Sequence, residues 1–197
     1  MPELKNRFPF FRWMLIGGLM IAVIPSHAYF FSKSPEPSSA PIKLSEAGVV
    51  ADFKFEVRKH FIYSFDISFG YPESDQVERA RVRKLLGDIT VDKSGKPVNP
   101  GTPTPVRLEI FAVCKDGREV AVYSLDADPI LTSWGDGNFG RFIGKSVLTP
   151  GKYRVRLFNK RVSPEFISIP ITFEMGMPAK VMFDPDKSPT RSEPCQQ

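Results

Sequence analysis

The residues best suited to binding chemistry are concentrated in one glycine-rich segment, residues 133–144 (SWGDGNFGRFIG). Trp134, Phe139 and Phe142 offer flat apolar surfaces, and Arg141 offers a planar fork of hydrogen-bond donors. Trp and Arg are typical hot-spot residues of protein interfaces, and an exposed Trp can also stack on a sugar ring. We therefore predict a binding surface in this segment. Long loops on β domains often fold back onto the core, however, and this favours the alternative that Trp134 closes one end of the hydrophobic core.

Acidic side chains around the same segment could serve a metal site or hydrolysis. Asp126, Asp128 and Asp136 are close in sequence, and Asp136 is followed by Gly137 and Asn138. Ca²⁺ needs several oxygen ligands at once, and glycoside hydrolysis needs two carboxyl groups flanking the bond. Because no EF-hand spacing is present, we interpret these carboxylates mainly as turn residues. We predict no metal and no other cofactor, and keep Asp136 as a candidate binding residue beside Trp134.

Histidine-dependent catalysis finds no support in the sequence. The chain has two histidines, His27 and His60, and neither a G-x-S-x-G nor an H-E-x-x-H motif. Hydrolases of the Ser-His-Asp and Cys-His types need a histidine beside the nucleophile. His60 falls at a predicted turn between two strands, where we expect an exposed loop residue. The sequence therefore predicts a protein that is not an enzyme.

A second candidate surface lies on a predicted helix. Asp75 or Ser74 can cap its start, and Gly87 can end it. At 100° per residue, only Arg79 and Arg83 among its basic residues share one face. We expect a solvated helix, with Arg79 and Arg83 as a weaker docking site for an acidic partner.

Period-two alternation of apolar and polar residues predicts the strands that position these side chains. An Asp-Gly turn at residues 116–117 predicts a hairpin, and Pro170, which has no backbone N–H, predicts an edge strand. The fold class that follows is mainly β, an antiparallel immunoglobulin-like β-sandwich with one short helix in a crossover loop. The predicted strands cover residues 53–57, 61–69, 108–114, 120–125, 139–148, 153–157, 167–173 and 179–183.

The N-terminus carries an export signal. Residues 13–24 are an unbroken apolar run with basic residues before it and Ser26, His27 and Ala28 after it. This order is typical of a secretory signal peptide of residues 1–28. A retained signal anchor over residues 13–31 is the alternative. Both predict a periplasmic or exported domain, which the anchor would hold at the inner membrane.

The remaining boundaries follow from composition. We expect a Ser/Pro-rich linker over residues 29–41, a β-sandwich domain over 42–183, and a polar tail over 184–197. Cys114 lies on a predicted strand and Cys195 in the tail. In an oxidising compartment the two could pair. The sequence leaves that pairing open, and the composition of the tail favours a free thiol.

One segment carries a family resemblance. Residues 148–157 (LTPGKYRVRL) resemble a turn and strand of immunoglobulin-like and fibronectin-like sandwiches. The resemblance implies that the hydroxyl of Tyr153 closes a corner there. With residues 82–87, 104–110 and 133–144, in this order, the chain is similar over residues 49–173 to a family of small exported bacterial domains of unknown function. That resemblance implies a fold and a compartment, but no catalytic residue.

These observations together predict a non-enzymatic binding protein. A net charge of +5 is too mild to indicate a nucleic-acid partner. We expect contact with another protein of the bacterial envelope, as an immunity-type or accessory subunit, through Trp134, Phe139, Arg141 and Phe142. The alternative is a carbohydrate-binding module, with Trp134 on the sugar and Ca²⁺ near Asp136.

Overall fold

Segments in which apolar and polar residues alternate form most of the strands of this protein. In a computed structural model, the described residues are 38–178, 181, 183, 184 and 195. They belong to one compact unit, Ser34–Gln197. The other unit, Met1–Lys33, lies outside the described residues, and the predicted signal peptide or signal anchor falls within it. Within the part described, no helix combines the length and the apolar character that a membrane crossing requires.

The described part of the chain is mainly β, with one α-helix and one short 3-10 helix. The 3-10 helix is Pro164–Phe166, and the α-helix, α1, is Gln76–Leu86. The strands in chain order are β1 (Ser38–Pro41), β2 (Gly48–Val57), β3 (Phe61–Gly70), β4 (Val106–Val113), β5 (Glu119–Ala127), β6 (Leu131–Gly135), β7 (Asn138–Leu148), β8 (Gly151–Asn159) and β9 (Ile171–Gly176).

Two antiparallel sheets form a sandwich-like arrangement. One has the strand order β1-β9-β3-β7-β6 and the other β2-β8-β4-β5. In the first sheet β3 runs beside β7 from the Phe61–Leu148 pair to the Gly70–Asn138 pair, with a register shift after Phe65. In the second, the predicted Asp-Gly turn joins β4 to β5, and Gly117 there has a φ of 85°. The prediction of a mainly β fold with antiparallel sheets is confirmed.

The core lies between the inner faces of the sheets. Phe65, Ile67 and Phe69 alternate inward along β3 and are fully buried. Phe53 of one sheet contacts Phe173 of the other, with 6.0 Å between the ring centroids. Burying rings of this size contributes a large share of the hydrophobic stabilisation.

Helix α1 begins and ends where its capping residues predict. The Asp75 carboxylate accepts hydrogen bonds from the backbone N–H groups of Val77 and Glu78, at 3.0 and 2.9 Å. Gly87 ends the helix with a φ of 80°. A Cβ at Gly87 would lie 2.2 Å from the carbonyl oxygen of Asn99, so the loop approaches closely only because this residue is glycine.

The prediction of an edge strand around Pro170 is wrong in two respects. The strand, β9, begins only at Ile171, because a 3-10 helix and a bend precede it. It also lies inside the sheet, because β1 pairs with it from Ser38–Met175 to Pro41–Thr172. β1 falls within residues 29–41, where composition predicted a linker. Ser and Pro residues are typical of a spacer, but a neighbouring strand can still pair with their backbone.

Two other segments differ from expectation. Apolar residues 89–91 offer a short strand in the sequence, but they form none, and Val91 makes only an isolated bridge with Pro97. The loop before β7 contains β6, which the sequence had not indicated. The predicted strand over 179–183 lies largely outside the described residues.

The two cysteines form a disulfide that joins Cys114, just after β4, to Cys195. The expectation of a free thiol in the tail is therefore wrong. The tail composition indicated no core contact, and a covalent cross-link needs none. The bond connects positions 81 residues apart, which restricts the unfolded chain strongly.

Candidate functional site

The predicted binding segment folds as a β-hairpin, which we call the Trp134 hairpin (residues 131–142). β6 and β7 pair from Leu131–Arg141 to Gly135–Asn138, and Asp136 and Gly137 form the turn. Gly137 has a φ of 78°, a conformation that residues with a Cβ rarely adopt. The clustered glycines therefore build a tight hairpin, with Trp134 beside its tip.

Tyr71, which follows β3, fixes the hairpin tip. Its backbone N–H donates to the carbonyl of Gly137 at 2.9 Å, and its hydroxyl donates to the carbonyl of Gly135 at 3.1 Å. Its ring lies 4.9 Å from the ring of Phe139. Tyr71 thus holds both ends of the turn, one through its backbone and the other through its hydroxyl.

Thr132 fixes the middle of the hairpin at its register shift. Its hydroxyl donates to the carbonyl of Gly140 at 3.2 Å and accepts from the backbone N–H of Phe142 at 3.1 Å. A side chain here replaces hydrogen bonds that the irregular pairing interrupts. The hairpin is therefore held by side-chain hydrogen bonds at its middle as well as at its tip.

Arg141 is fully buried and does not lie on the surface. Its guanidinium donates to Thr104 Oγ1 and to the carbonyls of Leu86, Pro100 and Thr102, at 2.8–3.2 Å. Burial lowers the pKa of Arg141 to about 10, so the side chain remains charged at neutral pH. The prediction that its fork contacts a partner is corrected, because the fork is occupied by the protein's own backbone.

Phe139 is also buried, so it is not part of the exposed surface. The guanidinium of Arg83 lies 5.8 Å from the centre of its ring, and Arg83 also pairs with Asp88 at 2.7 Å. Helix α1 therefore packs over the hairpin through Arg83. Arg79 is exposed on the same helix, so the two arginines face different environments.

Three predicted residues of the hairpin remain at the surface. Trp134 is 57% exposed, Phe142 is 38% exposed, and Asp136 is exposed at the turn. Trp134 is the cross-strand partner of Phe139, whereas Phe142 is the partner of Asp66. Cross-strand partners share a face, so Trp134 and Phe142 lie on opposite faces of the sheet. Trp134 does not close the core.

The carboxylates that are close in sequence have separate roles. Asp126 pairs with Arg107 at 2.9 Å and Lys160 at 3.2 Å. Asp128 accepts from the backbone N–H of Thr104 at 2.8 Å. Within the described residues, no three Asp, Glu, His or Cys side chains form a group that could hold a metal ion.

His60 lies at the predicted turn between β2 and β3 but is only partly exposed. Its ring packs edge-on against Phe183, with 5.3 Å between centroids. The alternation pattern could not indicate this contact, because Phe183 comes from the far end of the domain.

Sequence reasoning missed a pair of carboxyl groups on the outer face of the five-stranded sheet. Asp66 of β3 lies opposite Glu174 of β9. Burial, partly offset by a hydrogen bond from Ser64 and reinforced by the charge of Glu174, raises the pKa of Asp66 to about 6. The alternation along β3 placed Asp66 on a polar face, but only the strand order could bring Glu174 beside it.

A cleft of about 1130 Å³ lies beside the disulfide at one end of the four-stranded sheet. Phe55, Tyr153 and the Cys114–Cys195 bond line it, with Lys54 and Lys152 also among its lining residues. No pattern in the sequence indicates this cleft, since it depends on the disulfide and the loops that meet there.

Comparisons with known proteins bear on family and fold. A family model described as a domain of unknown function (DUF5625) matches residues 39–177. The crystal structure of a protein from Sulfurospirillum deleyianum is 22% identical and has a TM-score of 0.65, covering 75% of this chain and 100% of that chain. At this identity, it shows a similar fold.

A weaker match is the structure of infectious bursal disease virus Gx strain. It has 12% identity and a TM-score of 0.27, covering 75% of this chain and 34% of that chain, and supports no inference. No curated protein matches the chain.

Proposed function

Since the chain belongs to the DUF5625 family, a domain of unknown function, we propose from its surface that it is a non-enzymatic binding protein of the bacterial envelope. It contacts another envelope protein through the Trp134 hairpin, as an immunity-type or accessory subunit. The export signal ahead of the domain delivers it to the periplasm.

The observation that carries the proposal is the exposed Trp134 on a hairpin that side-chain hydrogen bonds hold in place. A Trp side chain that is 57% exposed leaves apolar surface in water that burial in a partner would remove. Tyr71 and Thr132 already hold the hairpin in place. A rigid surface loses little conformational entropy on binding, which suits a recognition role.

Two features support export and the finer fold assignment. A disulfide between Cys114 and Cys195 suits an oxidising compartment. The hydroxyl of Tyr153 donates to the carbonyl of Thr149 at 2.9 Å, the contact that a tyrosine corner makes in immunoglobulin-like domains. We accordingly propose an exported immunoglobulin-like sandwich.

The carbohydrate-binding alternative receives less support from the surface. Phe142 faces away from Trp134, so it adds no second stacking ring beside it. Asp136 has no companion carboxylates grouped for Ca²⁺ within the described residues. A protein partner therefore fits the hairpin better than a calcium-assisted sugar site.

Photo-crosslinking in cells tests the proposal. A photoreactive residue replaces Trp134 in one variant and Val77, which is 82% exposed on α1, in a matched control. We expect a discrete protein adduct from position 134 alone. We also expect Trp134→Ala to reduce recovery of that protein at least tenfold, and Val77→Ala to leave it unchanged. Equal adducts from both positions, or glycan binding that depends on Trp134, would contradict the proposal.

A further inference from the structure

β6 (Leu131–Gly135) lies at the end of the five-stranded sheet and pairs with β7 alone. Its other side therefore has no strand beside it within the described part of the chain. We infer that this free edge binds an extended segment of the partner protein, uncharged along the strand and with one basic residue at its N-terminal end, which adds to the sheet as a further antiparallel strand. This inference rests on the proposed function and names the kind of partner.

Comparison with the other sheet edges distinguishes β6. Proteins protect exposed edges from strand addition with charged residues or proline. β1 has Pro41, β2 has Asp52 and Lys54, and β5 has Glu119 and Asp126. β6, with the sequence LTSWG, has neither a charge nor a proline. It is therefore the edge on which a partner strand meets no such barrier.

The strand is held ready for pairing. Thr132 binds β6 to β7 across the register shift, and the Tyr71 hydroxyl fixes Gly135. Leu131 is buried and anchors the start of the strand. An added segment thus meets a preformed edge, and its backbone hydrogen bonds supply affinity without regard to side-chain identity.

Side chains along the edge select the composition of the partner segment. A charged residue against the uncharged strand would lose hydration without gaining a counter-charge. An apolar or β-branched residue beside Trp134 would bury its exposed ring. Asp136 is exposed and makes no ion pair within the described residues. Charge complementarity therefore favours a basic residue at the N-terminal end of an antiparallel segment, which lies against the turn.

A second copy of this chain fits the edge less well. Symmetric antiparallel pairing centred on Ser133 would place Asp136 against Ile130 of the other copy. The carboxylate would then still lack a cation. A different protein with a basic residue satisfies both the backbone edge and Asp136.

Binding of a designed probe peptide tests the inference. The probe is a synthetic octapeptide of alternating threonine and valine with an N-terminal arginine, measured by calorimetry against the full chain. We expect binding that weakens at least tenfold when alternate backbone nitrogens of the probe are methylated, and severalfold when glutamate replaces its arginine. Ser133→Lys should weaken binding of the unmethylated probe at least tenfold. Ser124→Lys, at an exposed position of β5, serves as the matched control. The test with the methylated probe uses the natural chain, so it does not depend on a variant that folds. The inference would be overturned if the methylated probe bound as tightly as the parent probe, or if the parent probe did not bind.

Ser133→Lys also distinguishes failure of this inference from failure of the proposed function. If position 134 crosslinks a protein whose recovery is unaffected by Ser133→Lys, the hairpin binds a partner but not by strand addition. If position 134 crosslinks nothing while the probe binds with the expected pattern, the proposed function fails and the edge chemistry holds. Dimers in sedimentation that Ser133→Lys dissociates would overturn the assignment of the edge to a different protein.

Discussion

Asp66 is a carboxyl group whose ionisation the fold disfavours. Burial is the main cause of its raised pKa of about 6, and Glu174 on the neighbouring strand adds to it. The folded chain therefore retains a proton, between roughly pH 4 and pH 6, that the unfolded chain releases. The free energy of unfolding falls as pH rises through this interval and stays lower above it.

Asp66→Asn removes this dependence, because the amide does not ionise. We expect the variant to gain about 1–2 kcal/mol relative to the natural chain between pH 4 and pH 7.5. The gain stays below about 3 kcal/mol, the full value of two pKa units, because water still reaches the side chain. Urea unfolding at both pH values measures it. Glu174→Gln should show a smaller pH dependence than the natural chain, and identical pH profiles for the natural chain and Asp66→Asn would contradict the assignment.

At the scale of elements, Arg141 connects three parts of the fold. From β7 its guanidinium reaches the end of α1 at Leu86, the loop at Pro100 and Thr102, and Thr104 before β4. Arg141→Met keeps the apolar volume but leaves these acceptors without a donor. We expect a loss of about 3–5 kcal/mol in the free energy of unfolding, with faster hydrogen exchange in residues 99–102.

Arg79→Met is the matched control, since Arg79 is exposed on α1. It should change the free energy of unfolding by less than about 0.5 kcal/mol. Equal effects of the two substitutions, measured by urea unfolding, would mean that the guanidinium of Arg141 does not hold the loop to the sheet.

The same elements show how far sequence reasoning reached. Alternation along the chain predicted β2, β3, β4 and β8, because one face of each is buried. The same alternation places Arg141 on the buried face of β7, because it is two residues from both Phe139 and Ile143, which are buried. The planar fork of donors predicts a surface position for Arg141, but alternation is the better guide where backbone carbonyls can surround a guanidinium.

Pairing between distant segments could not be derived in the same way. β1 has four residues, two serines, an alanine and a proline, and becomes a strand only because β9 offers a partner. Residue type alone makes Trp134 a candidate binding residue, but its position at the surface depends on the contacts that Tyr71 makes with the turn. A pattern within one segment carries no information about such a distant residue.

The disulfide acts at the scale of the whole molecule, since Cys114 and Cys195 are 81 residues apart. Joining them reduces the conformational entropy of the unfolded chain, by an amount that grows with the length of the closed loop. We expect Cys114→Ser with Cys195→Ser to lower the free energy of unfolding by about 3–4 kcal/mol. Urea unfolding measures this loss.

Reduction of the natural chain provides the control, because these are its two cysteines. The reduced chain should match the double variant in stability, and adding reductant to the double variant should change nothing. If the natural chain and the double variant unfold at the same urea concentration, the bond adds no stability.

Protein isolated from the periplasm should show no alkylation at either cysteine, because both are in the disulfide. A variant lacking residues 1–28 stays in the cytosol and should be alkylated at both cysteines, because glutathione and thioredoxin keep thiols reduced there. Alkylation therefore tests the exported location through the same pair of residues.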